Sequence, residues 1–108
     1  MIPPTSKTPA SVGRVVHVYS RRWRGPRSGI VVMGPWASAQ QIRDGSRQLV
    51  NVNVFLDGAN DTAVLAECRA RPEGNTWTSV DLFDELDQHQ RDILGKQAEI
   101  WCEWPPRV

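Results

Sequence analysis

Four arginines and two aromatic residues lie between Tyr19 and Ser28, a stretch of ten residues. A guanidinium group can bind two phosphate oxygens at once, and an aromatic ring can stack on a nucleotide base. Gly25-Pro26 within the stretch is typical of a turn, which would expose the arginines. The stretch therefore predicts a binding site for a phosphate-bearing ligand such as a nucleotide. Its candidate ligand-binding residues are Tyr19, Arg21, Arg22, Trp23, Arg24 and Arg27.

The distribution of charge leaves two other interpretations of these arginines open. Residues 1–54 contain eight basic residues and one acid, a net +7, whereas residues 55–108 contain five basic residues and eleven acids, a net −6. The arginines could pair with acids of the second half, within the chain or across a subunit interface, or they could form a plain solvated turn. Because the whole chain carries only +1, extended contact with duplex nucleic acid is disfavoured, while a local anion site is not.

Tryptophan supplies a second set of candidates, because it is enriched in binding pockets and interfaces. Of the five tryptophans, Trp77 and Trp104 are predicted to be core residues. Trp101 alternates with Ile100 and Cys102 and lies between two glutamates, so we expect it to be exposed and able to receive an arginine of a second subunit. We therefore expect a homo-oligomer. Its candidate interface residues are Trp36, Glu99, Trp101 and Glu103.

Catalytic and metal-binding patterns are missing from the sequence. It contains no Gly-x-Ser-x-Gly, no phosphate-binding Walker loop and no His-Glu-x-x-His. The possible zinc ligands His17, Cys68, His89 and Cys102 lack the short paired spacings of structural zinc sites. We expect His17 in the core and His89 in solvent. The sequence predicts a protein that binds without catalysis and uses no cofactor and no metal.

The sequence also bears on the compartment. No apolar run approaches the roughly 20 residues of a membrane-spanning helix, so we expect no membrane contact. The residues after Met1 do not resemble a secretory signal. We expect an intracellular protein in which Cys68 and Cys102 are free thiols.

Short strands separated by turn residues dominate the chain after its first twelve residues. Residues 1–12, with three prolines, predict an extended N-terminal arm that docks on its own barrel or on a neighbouring subunit. Val50, Val52 and Val54 alternate with asparagines in the clearest strand pattern. The predicted strands are 13–19, 29–34, 49–56, 62–69, 76–80 and 98–104, with 49–56 and 62–69 forming a hairpin.

One helix is predicted, because the apolar residues after the fifth predicted strand take helical spacing. It begins at Asp81, uses Asp84 as its capping-box partner and runs to Leu94. Residues 36–48 are predicted to be a polar loop without an apolar face. Together these elements predict one mainly β domain over residues 13–108, a small SH3-like or related β-barrel of five to six strands with one short α-helix.

Several of these elements resemble, in order, those of a family of small, mostly uncharacterised bacteriophage proteins. The resemblance covers most of residues 13–106 and implies a phage origin and a compact β domain, without supplying catalytic residues. The predicted helix and the 36–48 loop are longer here than in the family, so a function specific to this chain could reside there. The matching elements are Gly13–His17, Gly29–Val32, Val50–Gly58 with the pattern VN-x-x-VF-x-DG, Thr78–Val80 leading to Asp84-Glu85, and Trp101–Pro106 with its Trp-Pro-Pro.

These observations lead to one hypothesis and two alternatives. The leading hypothesis is a non-enzymatic phage accessory protein in the host cytoplasm, which sequesters a phosphate-bearing nucleotide of host defence through the arginine turn. The first alternative is a structural protein of virion, tail or head assembly, located in the virion, in which the arm and the opposite charges make subunit contacts. The second is a nucleic-acid-binding regulator, whose affinity would fall steeply with salt.

Overall fold

The computed structural model describes residues 2–55 and 75–106, which contain five strands and two helices. The predicted return strand at 62–69 and Cys68 lie outside the described residues. The elements are β1 (Val15–Ser20), β2 (Arg27–Met33), α1 (Ala39–Arg43), β3 (Leu49–Val54), β4 (Thr76–Phe83), α2 (Gln88–Gly95) and β5 (Ile100–Glu103).

The five strands close into a barrel, which confirms the prediction of a mainly β, SH3-like fold. Strands β1 to β4 pair antiparallel with their neighbours in sequence. Strand β5 then pairs parallel with β4 and antiparallel with β1, with Glu103 opposite both Phe83 and His17. Parallel neighbours cannot be joined by a tight turn, and the connection from β4 to β5 contains α2.

Valine side chains from the inner faces of the strands fill the barrel. In β3 the alternation predicted from sequence is confirmed, since Val50, Val52 and Val54 are buried between half-buried asparagines. Gly29 of β2 belongs to the same interior, because a Cβ there would lie 2.7 Å from a Val18 methyl and 2.8 Å from a Val52 methyl. A side chain at this position would push the strands apart, so glycine sets how closely they pack.

The N-terminal arm lies against its own barrel and is held there by Gln48, which is fully buried. The side-chain Oε1 of Gln48 accepts the Ala10 N–H at 2.8 Å, and its Nε2 donates to the carbonyls of Ser6 at 3.1 Å and Thr8 at 3.0 Å. The Ser6 N–H also donates to the Leu82 carbonyl at 2.8 Å. One side-chain amide thus satisfies three backbone groups of a segment that is not itself part of a strand.

The predicted start and cap of the helix need correction. The chain stays in β4 to Phe83, and α2 begins only after Asp87, which forms the capping box with Gln90 in place of Asp84. Leu82 and Phe83 are both buried because Leu82 packs in the barrel and Phe83 packs under α2. Consecutive apolar residues on a strand covered on both faces imitate the spacing of a helix.

The predicted polar loop at 36–48 contains a second helix, α1. Ser38 and Gln41 form its capping box, and Ile42, fully buried, is the apolar contact that the loop prediction overlooked. A helix of five residues has too few positions to show a period, so only the cap residues mark it in the sequence.

Of the two histidines, His89 is exposed as predicted, whereas His17 is half-buried rather than in the core.

The predictions for the tryptophans are confirmed only in part. Trp77 is buried in the barrel core, as predicted, and Trp104 is half-buried against that core. Trp36 is 54% exposed, as expected for a loop residue. Neither α1 nor α2 is long and apolar enough to cross a membrane, and no other helix occurs in the described part of the chain.

Replacing Gln48 tests how the arm is held. We expect Gln48→Ala to lower the free energy of unfolding by about 2 kcal/mol or more, because three buried backbone groups lose their partner. Chemical denaturation measures this loss, and amide hydrogen exchange should rise at Ala10. The exposed Gln97 provides the control, since Gln97→Ala should change the stability by less than about 0.5 kcal/mol. Equal effects of the two substitutions would contradict the role given to Gln48.

Candidate ligand-binding cleft

The predicted arginine turn and helix α2 border an open cleft of about 670 Å³, here called the arginine cleft. Its lining comes from the end of β1, from residues 21 and 23–26 of the turn, from α2 with its C-cap Lys96, and from Trp101 of β5. Four of the six predicted ligand-binding residues belong to it, while Arg22 and Arg27 do not. The four are Tyr19, Arg21, Trp23 and Arg24.

Stacked side chains form the inner part of the cleft. The rings of Tyr19 and Trp101 are parallel within 6°, with centroids 6.0 Å apart. The guanidinium carbon of Arg91, from α2, lies 4.5 Å from the Tyr19 ring centroid. Tyr19 is therefore already in contact with two side chains of the protein itself, and its ring supports Arg91.

The buried carboxylate of Glu103 holds Arg91 and Trp101 of this stack in place through hydrogen bonds. Glu103 is 1% exposed, and its two oxygens accept hydrogen bonds from Arg91 Nε at 3.0 Å and Nη2 at 2.9 Å. It also accepts the Trp101 Nε1–H at 3.0 Å and the Leu86 N–H at 2.9 Å. A buried carboxylate is tolerated only with such compensation, so α2, β5 and the chain before α2 are joined at one charged group.

The prediction that Trp101 and Glu103 form a subunit interface is wrong. Trp101 is 3% exposed and Glu103 is 1% exposed, so a partner cannot reach either side chain. The alternation with Cys102 does place Trp101 on the outer face of β5, but α2 covers that face. Glu99 remains half-exposed, and its carboxylate lies 3.5 Å from Arg22 Nε. Arg22 therefore pairs with an acid of the second half of the same chain, which is one of the alternatives that the charge distribution left open.

The same surroundings shift two protonation equilibria. Burial, and secondarily the negative charge of Glu103, raise the pKa of the Tyr19 phenol. The hydrogen bonds to Glu103 raise the pKa of Arg91. Arg91 is therefore a permanent cation whose Nε and Nη2 serve Glu103, while its Nη1 forms no hydrogen bond within the described residues.

The rim of the cleft carries an excess of positive charge. Arg21 makes one long hydrogen bond, from Nη1 to the Gly95 carbonyl at 3.5 Å. Arg24 and Lys96 form no side-chain hydrogen bond or ion pair with any residue in 2–55 or 75–106. Asp92 is the one acid of the lining, and it accepts a hydrogen bond from Gln88 at 2.9 Å. Three cations beside one carboxylate give this part of the surface a net positive charge.

Arg27 supports the turn instead of lining the cleft. Its Nη1 donates to the Gly25 carbonyl at 3.1 Å, and its guanidinium carbon lies 5.5 Å from the Trp23 ring centroid. Trp23 in turn meets Trp77 edge to face, with centroids 6.3 Å apart, and packs against the barrel core. Trp23 is therefore half-buried, and this packing anchors a turn that carries two exposed arginines into the cleft.

Sequence reasoning missed the contribution of α2 to the cleft. Gln88, Arg91, Asp92 and Lys96 follow one another at three, one and four positions, spacings that place residues on one side of a helix. In the sequence, Arg91 and Lys96 are equally typical of the end of a helix, where cations interact favourably with the helix dipole.

No three His, Cys, Asp or Glu side chains in the part of the chain that the structure describes are grouped to hold a metal ion.

Substitutions of two glutamates compare how much the buried ion pair Arg91–Glu103 and the exposed ion pair Arg22–Glu99 contribute to stability. We expect Glu103→Gln to lower the free energy of unfolding by about 3 kcal/mol, because Arg91 keeps its charge in a site 21% exposed and loses its counterion. Glu99→Gln, which weakens the exposed pair with Arg22, should cost less than about 1 kcal/mol. Urea denaturation of both variants measures the difference. A loss below 1 kcal/mol for Glu103→Gln would contradict its central role.

Tyr19 is the one tyrosine of the chain, so its ionisation can be followed by absorbance at 295 nm. We expect an apparent pKa above the ordinary value of about 10. Because the pKa in the folded state exceeds that in the unfolded state, the stabilisation is complete below pH 10 and is lost as the pH rises further. Glu103→Gln should lower the pKa by removing a nearby negative charge. A native pKa at or below 10 would contradict the burial of the phenol.

Comparison with known proteins assigns no family to this geometry, since neither a protein-family model, nor a curated protein, nor a solved structure matches the chain.

Proposed function

We propose that this barrel is a non-enzymatic binding module that captures a phosphate-bearing ligand of the nucleotide class in the arginine cleft. The observation that carries the proposal is the set of three cations, Arg21, Arg24 and Lys96, beside a single carboxylate on the cleft lining. Two come from the turn and the third is the C-cap residue of α2, so a phosphate between the turn and α2 would join the two walls. The side chains of residues 2–55 and 75–106 leave these charges largely uncompensated, which favours an anionic ligand.

Arg91 adds a group of a different kind. Its guanidinium is held by Glu103 and by the Tyr19 ring, so little side-chain entropy remains to be lost when a ligand binds. The planar guanidinium offers a surface on which a base can stack, and its Nη1 can donate to a phosphate. The half-buried Trp23 is the aromatic residue of the turn that lines the cleft. A ligand with both a planar ring and a phosphate uses all of these groups.

The size of the cleft favours a small ligand over a polymer. A volume of about 670 Å³ falls within the range of roughly 300–1,000 Å³ of small-molecule sites. The chain as a whole carries only +1, which does not favour the long basic stripe of a duplex-binding protein. The role we propose is that of a bacteriophage accessory protein, acting in the host cytoplasm by sequestering a nucleotide of host defence.

Calorimetric titration with a panel of nucleotides tests this function. The panel comprises linear mono- and dinucleotides, cyclic mono- and dinucleotides, and inorganic phosphate and pyrophosphate, at low ionic strength. We expect at least one nucleotide to bind, and Arg24→Gln to weaken it by about tenfold or more, since one charge-assisted phosphate contact is lost. Arg24 makes no contact that the fold requires, so the variant should melt like the wild type.

Arg43 supplies the matched control for this titration. It is an exposed arginine at the end of α1 that does not line the cleft. Arg43→Gln removes the same charge from the protein, and we expect the affinity to stay within about twofold. The proposal fails if no nucleotide of the panel produces heat with the wild type, or if Arg43→Gln weakens binding as much as Arg24→Gln.

A further inference from the structure

A second recess lies at the other end of the β1–β5 pair from the arginine cleft. It has a volume of about 870 Å³ and is here called the acidic groove. The arginine cleft contains Tyr19, near the end of β1, whereas the acidic groove contains Val15 at the start of β1. Val15 and Tyr19 are four residues apart on this strand, so the two recesses are separated by roughly 13 Å at 3.3 Å per residue. The lining of the groove includes Arg14, Val15, Asp84, Glu85, Trp104 and Pro105.

The charge of the acidic groove is opposite to that of the arginine cleft. Asp84 and Glu85 are both exposed, against one guanidinium from Arg14. Arg14 lies over the Trp104 ring, 5.2 Å from its centroid, and Asp84 accepts a hydrogen bond from Ser6 Oγ at 2.7 Å. Glu85 forms no hydrogen bond or ion pair within residues 2–55 and 75–106. Within the described residues the Glu85 carboxylate thus makes no direct pair, although its charge acts at longer range on Arg91 and Tyr19, and it stands beside the Trp104 ring.

The arginine turn has the complementary chemistry. Arg21, Arg24 and Pro26 are exposed on it, and Arg24 forms no hydrogen bond or ion pair with the described residues. A guanidinium suits both groups of the groove, because it pairs with carboxylates and packs on the face of tryptophan. The proline at the tip of the turn can pack on Trp104 and Pro105. One copy of the chain therefore presents a cationic tip at one end of the β1–β5 pair and a groove that fits it at the other.

We propose that the arginine turn of one copy docks in the acidic groove of the next copy, so that the protein assembles head to tail. Such a contact joins two different surfaces, and it leaves a free turn at one end of every dimer and a free groove at the other. Assembly therefore continues into a ring or a filament. This proposal does not rest on nucleotide binding.

Charge substitutions on the two surfaces test the contact. Arg24→Glu damages the turn and leaves the groove intact, while Glu85→Gln damages the groove and leaves the turn intact. We expect the weight-average mass of the wild type, measured by sedimentation at low ionic strength without nucleotide, to rise with concentration. Each variant alone should associate at least about tenfold more weakly. An equimolar mixture should form a 1:1 complex that grows no further, because the one remaining contact would place the Arg24→Glu turn against a groove that lacks the Glu85 charge and keeps Asp84.

The control and the contrary outcomes separate this contact from other modes of association. Arg43→Glu makes the same charge change as Arg24→Glu on a surface outside both recesses, and its assembly should match that of the wild type. Circular dichroism establishes that each variant is folded. A wild type that stays monomeric to about 1 mM overturns the proposal, as does a mixture without the 1:1 complex. Variants that dimerise alone as well as the wild type indicate a symmetric interface elsewhere and also overturn it.

Discussion

The compensation of one buried carboxylate determines much of this structure. Glu103 stands at the end of β5, where β4 and β1 both pair with it, and its oxygens are accessible only to protein donors. Removing the charge from water is costly, so its four hydrogen bonds oblige Arg91 and the Leu86 amide to remain in place. Arg91 brings α2 onto the barrel, and α2 forms one wall of the arginine cleft. The position of the cleft thus depends on the electrostatic requirement of a buried group that is bonded to two of its lining residues, Arg91 and Trp101.

Alternation along a strand tells which residues share a face, but it does not tell whether that face meets water. In β3 the two questions have the same answer, and the prediction of Val50 and Val52 as core residues is correct. In β5 and at the end of β4 they differ, because α2 covers the outer face. The sequence pattern therefore predicts Trp101 in solvent and includes Leu82-Phe83 in the helix that it begins at Asp81. The physical cause is tertiary: a strand buried on both faces loses the polar half of its pattern.

The candidate site could be predicted only in part, for a related reason. The arginine turn is local in sequence, and its composition alone identifies it. The opposite wall comes from α2, about 70 residues later, and its Arg91 and Lys96 are equally typical of a helix C-terminus. Arg22 and Arg27 show a second limit of prediction from composition. They are arginines like Arg24, but they contact Glu99 and Trp23 and do not line the cleft. Which arginines remain available to a ligand depends on contacts that residue type does not encode.

Closure of the barrel has a consequence for how this chain can change over time. Every strand in the described part has a neighbour on both sides, so no backbone edge is left for an added strand. Recognition must use the loops, the helices and the ends of the barrel. Residues such as Arg24 and Glu85, which form no hydrogen bonds with the described residues, can be exchanged without altering the strand pairing. The fold therefore allows rapid diversification of its recognition surfaces under selection, while the pairing of its strands stays the same.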